Sequence, residues 1–204
     1  MTDKYCIRDG YVSREEYVQY DNTPMTEEFQ KEVYQYARKL CRKNNFSRVL
    51  DIGCGSGYKL VKYFRDKNFT GLELEPNLSF LKDKYENFDW RLSDFSNPPK
   101  EEFDVIICSD VVEHLLNPDE LLEFINKMNF KLLVMSTPER GIIQKLQRSF
   151  GWEVQENGPP YNVHHVREWS FDEFRDYFST FFNVEDHFMT PVQKECQVIV
   201  GSKK

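Results

Sequence analysis

Val49-Leu50-Asp51-Ile52-Gly53-Cys54-Gly55-Ser56-Gly57 is a short apolar strand that runs directly into glycines at alternate positions. Glycines placed this way let the backbone turn tightly at the end of a buried strand and come close to a ligand. Outward from this turn, β-type runs recur over 69–74, 88–92, 103–108 and 131–135, with helical patterns over 58–65, 77–85 and 118–128 between them. Such alternation predicts βαβ units and a mostly parallel sheet with helices on both faces, an α/β fold. Val105-Ile106-Ile107 and Leu132-Leu133-Val134-Met135 are apolar throughout, as parallel strands covered on both faces are.

The flanks extend the pattern. Phe29, Val33, Tyr36, Ala37 and Leu40 predict a helix over 26–43, with Glu27 and Glu28 in its first turn and Lys39, Arg42 and Lys43 in its last. Ser170-Phe171-Asp172-Glu173 reads as a capping box opening a helix to about Phe181. Strands near 183–188 and 196–201, joined by a turn at Pro191, are expected to pair as a C-terminal antiparallel hairpin. Between the fifth strand and the capping box, residues 138–169 read as a long loop, and loops of that length are usually functional.

Three readings of the glycine turn compete. A P-loop is excluded, because Gly-Lys-Ser/Thr is missing. A dinucleotide turn needs Gly-x-Gly-x-x-Gly, but here the third glycine comes one residue early and Tyr58 takes its place. Asp51 would also repel a pyrophosphate, and it suits an ammonium group. The third reading is an ordinary structural turn. The next strand carries Glu73, 22 residues after Asp51, where a carboxylate accepts hydrogen bonds from both hydroxyls of a ribose. One acid for an ammonium and one for a ribose describe an amino-acid nucleoside better than a dinucleotide.

With these residues in view, the chain resembles the class I S-adenosylmethionine-dependent methyltransferases. Val49 to Gly57 matches the family's first motif, and Gly71-Leu72-Glu73-Leu74-Glu75-Pro76 the second. Leu92-Ser93-Asp94-Phe95 matches the third, and the run from Phe103 and Asp104 to Glu113-His114-Leu115 the fourth. The resemblance implies a Rossmann-like, seven-stranded sheet. It implies S-adenosyl-L-methionine as cofactor, with S-adenosyl-L-homocysteine as product and no metal. Implied cofactor contacts are Asp51, Gly53, Cys54, Gly55, Gly57, Glu73, Leu74 and Ser109, with Asp94 at the adenine amino group and Phe95 beside the ring. Residues 1–45 are then an N-terminal segment and helix serving as lid or cap, with Tyr11, Arg14 and Tyr17 as candidates to fold over the site; the alternative is that these three pack on the sheet. Residues 46–204 are the methyltransferase domain, with an acceptor-site insertion at about 136–169.

A narrower resemblance covers Ser136-Thr137-Pro138-Glu139-Arg140 and the segment from Asn157-Gly158-Pro159-Pro160 to Arg167-Glu168-Trp169-Ser170. It is similar to small-molecule methyltransferases of bacterial surface-polysaccharide or secondary-metabolite gene clusters. An oxygen of a sugar or of a phosphate-bearing metabolite is the implied acceptor. N-methylation of an amino sugar or other small amine is the alternative, and a NAD-dependent oxidoreductase or a non-catalytic cofactor-binding protein are alternatives of other classes. A hydroxyl must lose its proton as the new bond forms, and histidine is the residue type suited to take it. His165 is the first candidate base and His114 the second; the alternatives are a structural hydrogen-bonding role for His165 and packing near the cofactor for His114, and an anionic acceptor oxygen would need no base. Arg140 and Arg167 are candidate clamps for an anionic acceptor, with Tyr161 and Asn162 as further substrate contacts; the alternative is that the arginines pair with Glu139 and Glu168. The spacing of acids and histidines along the chain suggests no metal site.

Composition bounds the rest. In 204 residues, 34 acidic and 27 basic side chains leave a formal charge of −7, which argues against coating nucleic acid or an anionic membrane. Asn97-Pro98-Pro99-Lys100 is similar to a motif of nucleobase-amine methyltransferases, but it precedes the fourth strand and lacks the aromatic, so a surface turn is expected. Five scattered cysteines, with no Cys-x-x-Cys pair, argue against a disulfide framework. No leader and no spanning segment is read, so a cytoplasmic monomer or homodimer acting on a small molecule is expected.

Overall fold

The computed structural model describes residues 4–204. Its strands are β1 (Arg48–Ile52), β2 (Asn68–Glu73), β3 (Asp89–Leu92), β4 (Glu102–Ser109), β5 (Asn129–Pro138), β6 (Phe182–Met189) and β7 (Cys196–Lys203). They form one seven-stranded sheet in the order β3-β2-β1-β4-β5-β7-β6. The first five are mutually parallel, while β7 runs antiparallel to both β5 and β6. The expected α/β architecture and C-terminal hairpin are therefore present.

The two-residue period of each strand divides the core. Leu50, Ile52, Ile106, Cys108, Leu133, Met135 and Ile199 face one side, where they join residues of α4 (Pro118–Asn126) and α6 (Phe171–Phe181), among them Leu121, Phe174 and Tyr177. Val49, Val105, Ile107, Val134, Val198 and Val200 face the other, against α1 (Lys31–Asn44), α2 (Tyr58–Phe64) and α3 (Asn77–Lys84). Each fully buried Leu, Ile, Val or Phe contributes about 1.5–3 kcal/mol of hydrophobic stabilisation. Because both faces are covered, the central strands carry no polar alternation.

Two local expectations are corrected. The first helix begins at Lys31, not at 26: Gln30 is left-handed at φ 63°, and the Glu28 carboxylate accepts from the amide and hydroxyl of Thr26, which holds 26–30 in an irregular turn. The segment read as loop after β5 contains α5 (Arg140–Ser149), capped by Glu139 accepting from the Ile142 amide at 2.7 Å. The capping box at Ser170 and Glu173 is formed as read.

Strand order reverses at β1, which lies between β2 and β4. In open α/β sheets, ligands bind beyond the carboxyl ends of the strands at such a switch point. Here the glycine turn follows β1, and the segment Asp110 to His114 follows β4.

Candidate active site

The turn after β1 is built from left-handed residues: Gly53, Gly55 and Gly57 have φ of 71°, 56° and 68°. A Cβ on Gly57 would lie 2.5 Å from Leu81 Cδ2, so only glycine lets α3 pack this close. The turn is braced by Glu73, whose Oε2 accepts from the Gly55 amide at 2.6 Å and Oε1 from the Leu74 amide at 2.8 Å. Glu73 is buried, and burial raises its pKa.

Two cavities meet here. The larger, about 580 Å³, is lined by Glu73, Leu74, Ser93 and Phe95, together with Tyr17 and Gln19. The smaller, about 380 Å³, is lined by Cys54, Gly55, Ser109, Glu113, Asn162 and His165, among others. Tyr20, Asn22, Gly53, Asp110 and His114 line both, so the two are lobes of one crevice joined at the switch point.

Part of the crevice lining comes from the N-terminal segment, whose Tyr20 and Asn22 belong to both lobes. Asn22 accepts from Asn77 Nδ2 at 2.7 Å, and a Cβ on Gly55 would meet its side chain at 2.6 Å. Val12 and Arg14 donate their amides to the carbonyls of Asn157 and Val166 at 2.7 and 2.8 Å, and the Arg14 guanidinium donates to the Pro160 carbonyl. Tyr20 packs edge-on to His164 at 4.9 Å. Tyr17 reaches the larger lobe, whereas Tyr11 and Arg14 line a third cavity beside Arg140.

The smaller lobe holds a constellation that comes from two distant segments. Glu113 and His114 lie in a short 3-10 turn, Val112–His114. The Glu113 carbonyl accepts from the amides of Val166 (2.8 Å) and Arg167 (3.3 Å), which pins the second segment to the first. The rings of His114 and His165 are edge-on, 5.0 Å apart. His165 Nδ1 meets Glu168 Oε1 at 2.7 Å, and His114 Nδ1 meets the His164 carbonyl at 2.8 Å. Burial, ahead of repulsion from His165, lowers the His114 pKa to about 4, so it is neutral at pH 7. Glu113 is fully buried, and burial followed by the nearby Asp110 pushes its pKa well up. Its Oε2 accepts from Thr137 at 3.1 Å, while its Oε1 has no partner.

Several expected site residues are placed differently. Asp51 lies beneath the turn and lines neither lobe: Oδ2 accepts from Tyr34 at 2.8 Å, Oδ1 is unpartnered, and complete burial raises its pKa to about 7. Asp94 is exposed and bent back on the Ser96 amide and hydroxyl, at 2.9 and 2.5 Å, so Ser93 and Phe95, not Asp94, face the larger lobe. The clamp reading of both arginines is corrected. Arg140 is buried, donates to the Glu168 carbonyl and pairs with Glu173 at 2.7 Å. Arg167 is buried and donates to the carbonyls of Leu115 and Leu116 at 2.7 and 2.9 Å. Glu139 and Glu168, the alternative partners, are occupied by the α5 cap and by His165. Tyr161 is exposed and stacks on Trp152 at 4.9 Å, whereas its neighbour Asn162 lines the smaller lobe.

Glu113, Asp110, Tyr20 and Asn22 are site residues that motif reading passed over. Glu113 had a signal, a carboxylate beside a histidine directly after the fourth strand. Tyr20 and Asn22 had none, because their position depends on how the N-terminal segment crosses the sheet.

The family described as Methyltransferase domain matches residues 22–186. The chain is 27% identical over 185 residues to a small RNA 2'-O-methyltransferase of Arabidopsis thaliana, covering 73% of this chain and 19% of that protein, so it spans about one fifth of that relative's length. Among solved structures, it is similar to magnesium protoporphyrin IX methyltransferase from Synechocystis PCC 6803 with bound SAH, with a TM-score of 0.66, 12% identity, and 86% and 84% of the two chains covered. It is also similar to the methyltransferase domain of bacterial CtHen1, with a TM-score of 0.63, 18% identity, and 85% and 98% covered. Among the described residues, no helix is long and apolar enough to cross a membrane.

Proposed function

The chain belongs to the methyltransferase-domain family, and from that premise we propose that it transfers a methyl group from S-adenosyl-L-methionine to an oxygen of a small, hydroxyl-rich acceptor. The observation that carries this reading is the junction of the two lobes: Glu73 walls one, His114 and His165 stand in the other, and Gly53 and His114 belong to the shared rim. Adenosine occupies the larger lobe, with its ribose hydroxyls on the Glu73 carboxylate, which the Gly55 and Leu74 amides hold in place. The methionine portion passes the glycine turn, and the methyl points into the smaller lobe.

Transfer is an in-line displacement: the acceptor oxygen forms a bond to the methyl carbon as the carbon–sulfur bond breaks and its electron pair stays on sulfur. The protein aligns the two and excludes water. His165, held by Glu168, stands where it can take the hydroxyl proton. A sugar-like hydroxyl fits this lobe better than a phosphate-bearing group, because both candidate arginine clamps are engaged by the protein itself. Within the N-terminal segment, residues 17–30 act as the cap over this site; residues 1–3 lie outside the described residues.

A second reading is the ribose hydroxyl of an RNA end. It is favoured by the likeness to a small RNA 2'-O-methyltransferase, and a formal charge of −7 does not by itself exclude it. Calorimetric titration with S-adenosylhomocysteine and with NAD, followed by methyl-transfer assays on nucleotide sugars, amino sugars and short RNA, tests the reading. Binding of NAD without S-adenosylhomocysteine would overturn it.

A further inference from the structure

The smaller lobe contains three groups whose arrangement a proton-transfer role does not require. Glu113, His114 and His165 each offer one ligand atom, and these atoms lie within 4.8 Å of one another. The hydrogen bonds around them fix which atoms those are. A carbonyl oxygen only accepts, so the 2.8 Å contact with His164 requires the proton on His114 Nδ1. The Glu168 carboxylate at 2.7 Å draws the proton of His165 to Nδ1 in the same way. Both rings therefore keep their Nε2 lone pairs for the lobe. This is the outer-shell pattern of metal-bound histidines, in which the far nitrogen donates to a carboxylate or backbone carbonyl. The third group, Glu113 Oε1, is completely buried, has no hydrogen-bond partner, and lies 3.9 Å from His114 Nε2. A buried carboxyl oxygen with nothing to accept from is relieved either by a proton or by a cation beside it, and two neutral imidazole nitrogens facing the same space favour the cation.

We propose that Glu113, His114 and His165 bind a divalent transition-metal ion, such as zinc or manganese, at the floor of the acceptor lobe. Two imidazole nitrogens and one carboxylate oxygen suit such ions, and three protein ligands leave a position open for an oxygen from the cavity. Donors about 2.1 Å from a tetrahedral ion lie about 3.4 Å apart, so atoms that now lie within 4.8 Å of one another draw together when the ion binds. The bond that gives way is the one from Asn162 Nδ2 to His165 Nε2 at 2.9 Å, and Asn162 is exposed and can turn to water.

The role of the ion rests on the reading of an oxygen acceptor; its binding does not. An acceptor hydroxyl on the open position becomes more acidic and loses its proton to solvent. The oxygen then forms its bond to the methyl carbon, and the carbon–sulfur electron pair leaves on S-adenosylhomocysteine. His165 is in that case a ligand and not a base, and Glu168 is a positioning residue.

The test uses the full chain stripped with a chelator. Mn²⁺ is titrated by water-proton relaxation, Zn²⁺ by calorimetry, and S-adenosylhomocysteine in parallel. One equivalent of ion is expected. His165→Ala and Glu113→Gln should each weaken ion binding at least roughly tenfold, with Glu168→Gln weakening it by a similar factor, while S-adenosylhomocysteine affinity stays within about twofold and reports that each variant is folded. A chain that binds S-adenosylhomocysteine but neither ion at millimolar concentration overturns the proposal and leaves His165 as a direct base. Ion affinity unchanged in both ligand variants also overturns it. A chain that binds neither ion nor S-adenosylhomocysteine overturns the cofactor reading as well.

Discussion

His165 and Glu168 meet through Nδ1 and Oε1 at 2.7 Å, three residues apart in a stretch that is not helical, and this one bond sets which face of the imidazole the cavity sees. Glu168→Gln keeps the size of the side chain but can present an amide donor to Nδ1, which lets the ring adopt the other tautomer. Turnover should fall by about 10–100-fold while the KM for S-adenosylmethionine is unchanged. Separate measurement of kcat and both KM values checks this; a merely structural bond would lower the melting temperature and raise both KM values together.

Glu73 is held by two amides, so its acceptor capacity is directed before any ligand arrives. Glu73→Gln retains shape but replaces one acceptor oxygen with a donor. S-adenosylhomocysteine affinity should fall by about 1.5–3 kcal/mol, or roughly 10–100-fold. Calorimetry on the variant measures it, and an unchanged affinity would remove Glu73 from the cofactor site.

Burial raises the Asp51 pKa from its ordinary 3.8 to about 7. A folded-state value above the unfolded one gives stability that is complete at low pH and is lost as the pH rises toward 7. Asp51→Asn cannot ionise, and its side-chain oxygen can still accept from Tyr34. The variant should therefore gain on the wild type by about 2–3 kcal/mol more at pH 8 than at pH 5. Urea unfolding of both proteins at the two pH values checks the sign.

Arg140 and Glu173 form a buried pair, with side chains 6% and 12% exposed. Arg140→Met leaves the carboxylate without its cation and should cost about 3–5 kcal/mol of stability. At temperatures where the variant stays folded, the acceptor KM should not change. A rise in that KM without loss of stability would restore the clamp role.

The parallel core was legible because its strands carry their own signal. Val105-Ile106-Ile107 and Leu132-Leu133-Val134-Met135 are apolar without alternation, and their order with the helices leaves few topologies. The helix of residues 140–149 was masked by its surroundings: Ile142, Ile143 and Leu146 have helical spacing, but Pro138 before them and Gly151 and Gly158 after them read as loop. The place of Glu73 at the end of the second strand, beside the glycine turn, was legible from its distance to that turn. The roles of Arg140 and Arg167 were not, because sequence shows a charge but not whether buried carbonyls and a carboxylate 33 residues away already occupy it. The Glu113, His114 and His165 cluster was hidden for the same reason. His114 and His165 are 51 positions apart, and their segments are tied together by bonds such as that from the Val166 amide to the Glu113 carbonyl.

Tyr20 and Asn22 line both lobes of the crevice. With donor and acceptor in the two lobes as proposed, both would touch the same stretch of chain, and either one would help to position it for the other. The two occupancies would then be thermodynamically linked even where the molecules do not touch, each changing the affinity of the other by the same factor. The same linkage would act on departure: an acceptor retained in its lobe would lengthen the residence of the donor product.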